Sequence, residues 1–177
     1  MRNMKKTASL NGIDFFLYTP SFFSLYADVY SESERPYYVK RIIHKIRMAL
    51  QLFMGGYKVY YMSVGDTIVG HLVVTSGGGR VVQSSKNDIV IGPIWVAPSH
   101  RKKGYASAGI AAILHSLGMQ YKSAFEFIAP ENTPSIRSAE KNDFVKQGYA
   151  RESGLLRKMS LSESGEWLLF RYDSKEK

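Results

Sequence analysis

Ile94-Trp95-Val96-Ala97-Pro98-Ser99-His100-Arg101-Lys102-Lys103-Gly104-Tyr105-Ala106 is the stretch whose reading decides the fold. Ahead of it, Ile89-Val90-Ile91 begins an apolar run that continues through Ile94-Trp95-Val96 and predicts a strand, which Pro98 stops. Behind it, Ala106, Ala108, Gly109, Ala111 and Ala112, with Ile110, Ile113, Leu114 and Leu117, predict a helix whose small residues let it lie close on a sheet. A short basic loop therefore feeds a helix N-terminus, where unpaired backbone N–H groups and a partial positive charge meet. Gly104 permits a backbone conformation and a close approach that a side chain would block. Such a turn suits a phosphate or pyrophosphate. Arg101, Lys102 and Lys103 add charge that favours a polyanion, although the same residues also suit an ordinary solvated connection.

The segment resembles the acetyl-CoA signature of the GNAT superfamily of acyltransferases: a strand ending in Val-x-Pro, then Arg or Gln-x-x-Gly-x-Gly or Ala. It stands here as Val96-Ala97-Pro98 followed by Arg101-Lys102-Lys103-Gly104-Tyr105-Ala106. A dinucleotide fingerprint would need G-x-G-x-x-G, and a phosphate-binding Walker loop would need Lys-Ser or Lys-Thr after the glycine; neither is present. A second stretch resembles the family's Asn-x-x-Ala or Ser, then Tyr-Glu-Lys-x-Gly-Phe. Here it reads Asn132-Thr133-Pro134-Ser135, then Ala139-Glu140-Lys141-Asn142-Asp143-Phe144.

The resemblance implies a mixed α/β fold, with a central sheet of about seven strands splayed between strands 4 and 5 and flanked by about four helices. It implies acetyl-CoA (coenzyme A) as cofactor. Main-chain groups of Ile94, Trp95 and Val96 would pair with the pantetheine amides, the amides of Arg101, Lys102, Lys103, Gly104, Tyr105 and Ala106 would hold the pyrophosphate, and Asn132 and Ser135 would complete the cofactor contacts. The acceptor in this family is usually an amine that attacks the thioester directly, so no protein nucleophile is required. Two positions depart from the pattern. Asp143 stands where glycine usually makes the turn, a position that Asp tolerates in a left-handed conformation. Ala139 stands where many members carry the tyrosine that protonates the leaving thiolate; Tyr105, Tyr149, Ser138 or water are the substitutes.

Composition agrees with one domain over residues 1–177. Of 177 residues, 45% are hydrophobic and 22% charged, a globular balance with enough chain for one sizeable core. Cysteine is absent, which excludes disulfides, a cysteine nucleophile and thiolate metal sites. His44, His71, His100 and His115 have no metal-ligand spacing, and no metal is expected. No apolar run is long enough to span a bilayer and no signal peptide is visible, so a cytoplasmic protein without membrane attachment is expected. The net charge of +9 invites a nucleic-acid partner, but no nucleic-acid module is recognisable, and an anionic cofactor explains the charge as well.

Taken in order, residues 1–12 read as a mobile tail, with Asn11-Gly12 as a turn into the first strand, and Ile13–Tyr18 as that strand. Ser21–Tyr30 reads as a short helix capped by Ser21. A second helix is expected over about Arg35–Met54, with Val39, Ile42, Ile43, Ile46, Leu50 and Phe53 as its core face, a solvated basic face including His44, and Gly55-Gly56 as its end. Tyr57–Ser63 and Thr67–Thr75 form a hairpin about Val64-Gly65-Asp66. Ser76–Asn87 reads as a turn-rich loop around Val81-Val82. After the central helix come a strand at Ser123–Ala129 and a helix from Asn132 to about Asn142 with Thr133 as cap. Strands at Phe144–Arg151 and Leu155–Leu161 follow, Glu166–Tyr172 is a further strand or short helix, and 173–177 are frayed.

For the general base, the candidates are His71 in the third strand and Glu126 in the fifth, with Asp88 at the start of the fourth; His100 is a surface residue or phosphate contact. The aromatic-rich N-terminal third, including Tyr26, Tyr30, Tyr37 and Tyr38, is core, with some members lining an acceptor pocket. The expected function is acetyl-CoA-dependent N-acetyl transfer to a primary amine of a small molecule. A homodimer is left open. The alternatives are a CoA-binding regulatory domain without turnover and, less favoured, a nucleic-acid-binding module.

Overall fold

The computed structural model describes residues 4–30, 36, 41–79, 81, 84–115, 120–154 and 158–174. One mixed sheet of nine strands carries the fold: β1 (Met4–Leu10), β2 (Ile13–Tyr18), β3 (Tyr57–Val64), β4 (Thr67–Ser76), β5 (Ile89–Val96), β6 (Ser123–Ile128), β7 (Val145–Ser153), β8 (Lys158–Ser162) and β9 (Trp167–Asp173). Their order across the sheet is β1-β2-β3-β4-β5-β6-β9-β7-β8. Of the paired strands, β5 and β6 alone run parallel among the described residues, besides a single parallel bridge from Val81 to Met159. The helices among the described residues are α1 (Ile42–Phe53), α2 (Tyr105–His115) and α3 (Thr133–Glu140).

The two sheet faces differ in what covers them. Val69, Leu72, Val74, Ala124, Ile128 and Phe170 pack with Ile110, Ile113 and Ala139, so one face lies under α2 and α3. Tyr18, Tyr57, Val59, Tyr61 and Val73 pack with Met48 of α1 and with Leu25, Tyr26, Val29 and Tyr30 on the other. Strand β9 threads between β6 and β7, and Leu168, Leu169 and Phe170 bury both of its faces. That continuous apolar run is what an interior strand requires.

Several expectations are corrected. The sheet has nine strands rather than about seven. Met4–Leu10 is a strand and not a mobile tail: Asn11 (φ 51°) and Gly12 (φ 76°) make a two-residue hairpin turn that pairs it with β2. Its polarity, with Lys5 and Lys6 exposed, belongs to an edge strand facing water rather than to disorder.

Ser21–Tyr30 is irregular rather than helical. Tyrosines of the sheet satisfy its backbone instead. Tyr18 donates to the Ser24 carbonyl at 2.9 Å, Tyr57 donates to the Leu25 carbonyl at 2.8 Å, and the Ala27 N–H donates to the Tyr61 oxygen at 3.0 Å. The chain is thereby pinned in an extended path that a helical ladder would forbid.

The described part of α1 starts at Ile42; Val39, Tyr37 and Tyr38 lie outside the described residues, as do Arg80, Val82, Leu117 and 155–157. Its orientation differs from the expected one. Met48 and Gln51 are buried, while Ile42, Ile43, Ile46 and Phe53 are exposed. The tyrosine-lined face offers hydroxyls, so the helix turns His44 inward to bond Tyr26. Helix α3 is capped by Asn132 rather than Thr133, its side-chain oxygen accepting from the Ser135 N–H at 3.3 Å.

Candidate functional site

Strands β5 and β6 pair only at Ile89↔Ala124 and Val90↔Phe125. Beyond that point β5 stays with β4, where Gly70↔Val96, His71↔Trp95 and Leu72↔Ile94 are opposed, and no described strand pairs with its other edge. The register shifts between Leu72 and Val74, so that Gly92 (φ 139°) and Pro93 stand against Val73 as a bulge. The sheet therefore opens into a wedge, bordered on one side by the main chain of Ile94, Trp95 and Val96.

The wide end of the wedge leads to the basic loop. A 3₁₀ turn at Pro98–His100 carries the chain off the strand, and Arg101 Nε donates back to the Val96 carbonyl at 3.1 Å. Lys102 (φ 63°) and Gly104 (φ 79°) both sit in the left-handed region. These two left-handed residues bend the chain sharply just ahead of the helix start, where backbone N–H groups can gather round an anion. The first helical bond runs from the Ala108 N–H to the Gly104 carbonyl, and the Arg101 N–H already donates to the Pro98 carbonyl at 3.4 Å, so the amides from Lys102 onward are the ones that lie ahead of the helical ladder for an outside acceptor. A Cβ built on Gly104 meets nothing within 4 Å. The expected pyrophosphate site is thus an open stretch of main chain, and these residues fit a diphosphate.

Asn142 is a residue that sequence reasoning passed over. It is 9% exposed, and its Nδ2 donates to the Ser107 carbonyl at 3.2 Å, the Ser107 hydroxyl at 3.0 Å and the Ser138 carbonyl at 2.7 Å. It ties the end of α3 to the first turn of α2. The following Asp143 takes φ 61°, the left-handed turn its position calls for. Its neighbour in the motif, Ala139, is wholly enclosed. Of the substitutes for a tyrosine there, Ser138 is bonded to the Pro134 carbonyl, Tyr149 lies on β7 with Lys146 over its ring, and Tyr105 stands half-buried beside His100.

The candidate bases lie apart. Asp88 is used up by backbone: its carboxylate accepts from Ser85 and Ser123 N–H groups, fastening the starts of β5 and β6. Glu126 is the first residue of β6 past the paired stretch. It shares a face with Ala124 and Ile128, under α2 and α3. It is 3% exposed and its Oε1 has no hydrogen-bond partner, and burial pushes its carboxyl up to about 8. His71 points to the opposite face, among Tyr26, Tyr30, Tyr61 and Trp95. Complete burial, with the nearby His44 imidazole adding to it, lowers its pKa to about 3, so the ring is neutral.

On that face a cavity of about 150 Å³ is lined by Tyr26, Ala27, Asp28, Tyr30, Pro36, Tyr61 and His71. Tyr30 Oη lies 2.8 Å from His71 Nδ1, and Tyr26 Oη lies 2.8 Å from His44 Nε2. The Tyr30 ring packs edge-on against Trp95 at 4.7 Å. Trp95 thus links cavity and wedge: its main chain borders the wedge, and its indole packs behind Tyr30 and His71, which line the cavity. Only the clustering of aromatics in the N-terminal third signalled this pocket; neither Tyr–His pair has a motif. Among the described residues, no group of acidic and histidine side chains could hold a metal ion, and no helix is long and apolar enough to cross a membrane.

Comparison with known proteins completes the picture. No curated protein matches the sequence. Among solved structures, one described as a phosphinothricin N-acetyltransferase superposes with a TM-score of 0.62 at 15% identity, covering 92% of this chain and 99% of that one. The ribosomal L7/L12 α-N-protein acetyltransferase RimL in its apo form gives 0.58 at 14% identity, covering 98% and 100%. The yncA protein of Salmonella typhimurium with its cofactor acetyl-CoA gives 0.52 at 15% identity, covering 73% and 71%. The match spans 64% and 66% of the chains of two further structures, from Thermus thermophilus and Pyrococcus horikoshii. Identities this low establish the fold alone. The family model for GNAT acetyltransferases, however, matches residues 19–144, which include the wedge, the basic loop and the second motif. The chain belongs to the GNAT acetyltransferase family, whose cofactor is acetyl-CoA.

Proposed function

We propose that this chain is a cytoplasmic N-acetyltransferase that moves an acetyl group to a primary amine of a small molecule by direct attack of the amine on the thioester. The observation that carries this reading is the unpaired β5 edge at Ile94–Val96, which runs from the wedge to the anion cradle at Lys102–Gly104. When bound, acetyl-CoA supplies the activated acyl group. The Ile94, Trp95 and Val96 main chain would grip the pantetheine as an added strand would. The amides of Lys102, Lys103, Gly104, Tyr105 and Ala106 would hold the diphosphate, with Asn132 and Ser135 bordering it; the Arg101 amide, bonded to the Pro98 carbonyl, would shape the turn instead.

Of the two candidate bases, Glu126 suits the task better. An alkylammonium must lose a proton before it can attack, and handing it to a group with a pKa of about 3, as in His71, is uphill by several pKa units at about 1.4 kcal/mol each. Glu126, raised to about 8 by burial, is matched to proton transfer near neutral pH and has a carboxylate oxygen without a partner. His71 then acts as a neutral wall that holds Tyr30. Ala139 offers no proton to the departing thiolate, which water would supply.

The test is free-thiol release from acetyl-CoA across an amine panel, with CoA binding measured in parallel. Turnover by the wild type and a fall in kcat of about 10²–10⁴-fold in Glu126→Gln are expected, with CoA affinity kept. CoA binding without thiol release for any amine would instead make this a CoA-binding domain without turnover.

A further inference from the structure

The closed end of the wedge is held by side chains more than by ladder. Strands β5 and β6 share two pairs, Ile89↔Ala124 and Val90↔Phe125, a short ladder of the less stable parallel kind. Just before these rungs the buried Asp88 accepts the Ser85 N–H at 2.6 Å with one carboxylate oxygen and the Ser123 N–H at 3.0 Å with the other. Its main-chain carbonyl accepts the Gly77 N–H at 2.7 Å, and a Cβ on Gly77 would lie 2.8 Å from that of Asp88, so the turn leaving β4 sits on it with no room to slip. Behind Ser123 the ties continue. Its hydroxyl donates to Asp173 Oδ1 at 2.7 Å, and Arg171 donates to that same oxygen at 2.8 Å and to the Ser123 hydroxyl at 3.3 Å. The Lys122 N–H also reaches the Asn87 carbonyl at 2.9 Å. The ends of β4, β5, β6 and β9 thus meet at one buried carboxylate and its neighbours. A carboxylate that accepts an N–H on each oxygen makes a stiff joint, and β5 and β6 diverge from it.

Immediately past the rungs the space changes. Gly92 (φ 139°) carries no side chain, and a Cβ there would meet nothing within 4 Å. Next to it the chain closes again: Ile91 and Glu126 are buried, and Val90 and Phe125 pack together on the face away from α2 and α3. The room at Gly92 therefore ends after about one strand rung, roughly 3.3 Å, the length of two or three carbon–carbon bonds. With the cofactor placed as above, the diphosphate lies beyond Val96 and the pantetheine runs along Ile94–Val96, so the acyl end points at this closed corner. We infer, resting on that placement, that Asp88 backed by Ser123 and Asp173 is a latch that sets how far the wedge closes and so restricts the donor to short acyl chains. Acetyl and propionyl fit; butyryl and longer chains meet the Val90–Phe125 rung. Asp88 itself touches no substrate and is a positioning residue that acts through that rung. A slack latch lets the rung part and deepens the cleft. A purely structural Asp88 would act differently, since its loss would lower Tm and the active fraction for every donor alike and leave their ranking unchanged.

The experiment measures kcat/KM by thiol release for acetyl-, propionyl-, butyryl- and hexanoyl-CoA with the most active amine of the panel, on the wild type, Asp88→Asn, Ser123→Ala and Tyr57→Phe. Tyr57→Phe removes the bond to the Leu25 carbonyl, far from the latch, and so lowers Tm with the latch intact. The wild type should favour acetyl over butyryl by about tenfold or more, the cost of a methylene without room, with hexanoyl lower still. Asp88→Asn should bring butyryl to within about threefold of acetyl. Ser123→Ala keeps its N–H bond to Asp88 and loses the Asp173 tie, so it should shift the ratio less and in the same direction; Tyr57→Phe should leave it as it was. If Asp88→Asn does not fold, the Ser123→Ala ratio decides. A wild-type ratio in the folded latch variants, or hexanoyl-CoA used by the wild type as readily as acetyl-CoA, would overturn the latch and leave acetyl transfer standing. If no acyl-CoA releases thiol, the transfer reading fails and calorimetry judges the latch alone. Butyryl-CoA bound more weakly than acetyl-CoA by the wild type, with the gap narrowed in Ser123→Ala, upholds it; equal binding by the wild type ends it.

Discussion

The cofactor wedge and the aromatic cavity are linked through Trp95, whose main chain borders the first and whose ring packs on the Tyr30 and His71 of the second, yet they are built from different parts of the chain's chemistry. The wedge is made of main chain: an unpaired strand edge, two left-handed residues and a helix start. The cavity is made of side chains brought from β3, β4 and the segment after β2. Main-chain sites need glycine, small residues and fixed spacing, so they leave a motif. Side-chain sites need only that rings meet, which many sequences achieve. The difference predicts separable lesions, with damage to the wedge costing cofactor and damage to the cavity costing acceptor.

The strongest attempt to break this separation is Gly104→Trp. A Cβ at Gly104 meets no protein atom, so an indole there projects into the cradle rather than into the core, at φ 79°. CoA affinity measured by calorimetry should fall by about 100-fold or more, since the amide donors are screened. The left-handed conformation adds a folding cost of about 1 kcal/mol, read as a small drop in Tm. Unchanged CoA binding would mean that the cradle is not the diphosphate site.

Legibility from sequence followed the same division. The strand–loop–helix from Ile89 to His115 was readable because period, proline stop and glycine turn all agree there. Strand β1 was not, because an edge strand that faces water on its outer side carries the polar composition of a tail. Ser21–Tyr30 has helical spacing, but Tyr18, Tyr57 and Tyr61 capture its backbone from the sheet, and tertiary hydrogen bonds outrank local propensity. The apolar stripe Ile42–Ile43–Ile46–Phe53 misled on the facing of α1 because the surface it meets is hydroxyl-rich, so His44 turns inward. Asn142 lay inside a recognised motif at a position the motif leaves free.

Glu126 sharpens the comparison through pH. Burial raises its pKa from 4.5 to about 8, so the folded protein keeps a proton that the unfolded chain releases above about pH 4.5. Stability contributed by this group therefore falls as pH rises from about 4.5 to about 8, and is level beyond. At pH 7 the penalty is about 3 kcal/mol. Glu126→Gln removes the charge while keeping the shape. Its Tm should exceed that of the wild type by an amount that grows between pH 5 and pH 8, even as kcat drops. A Tm difference that does not vary with pH would show that Glu126 ionises normally and has no claim to be a tuned base.

The smallest expected effect tests whether wedge and cavity are independent. Asn142 contacts neither the proposed diphosphate amides nor the cavity lining, but it fastens the first turn of α2 to the end of α3 through Ser107 and Ser138. Asn142→Ala leaves those buried carbonyls without their side-chain donor, at a cost of about 1–2 kcal/mol, or a fall in Tm of a few degrees. Because Ser107 sits directly behind Tyr105 and Ala106, loosening it should spread the amides that receive the diphosphate and weaken CoA binding by several-fold. The acceptor KM at saturating acetyl-CoA should stay as it was, since Tyr26, Tyr30 and His71 lie across the sheet. A rise in acceptor KM with CoA affinity intact would reverse that expectation: strain would then pass through β5 at Trp95, and the two regions would act as one site.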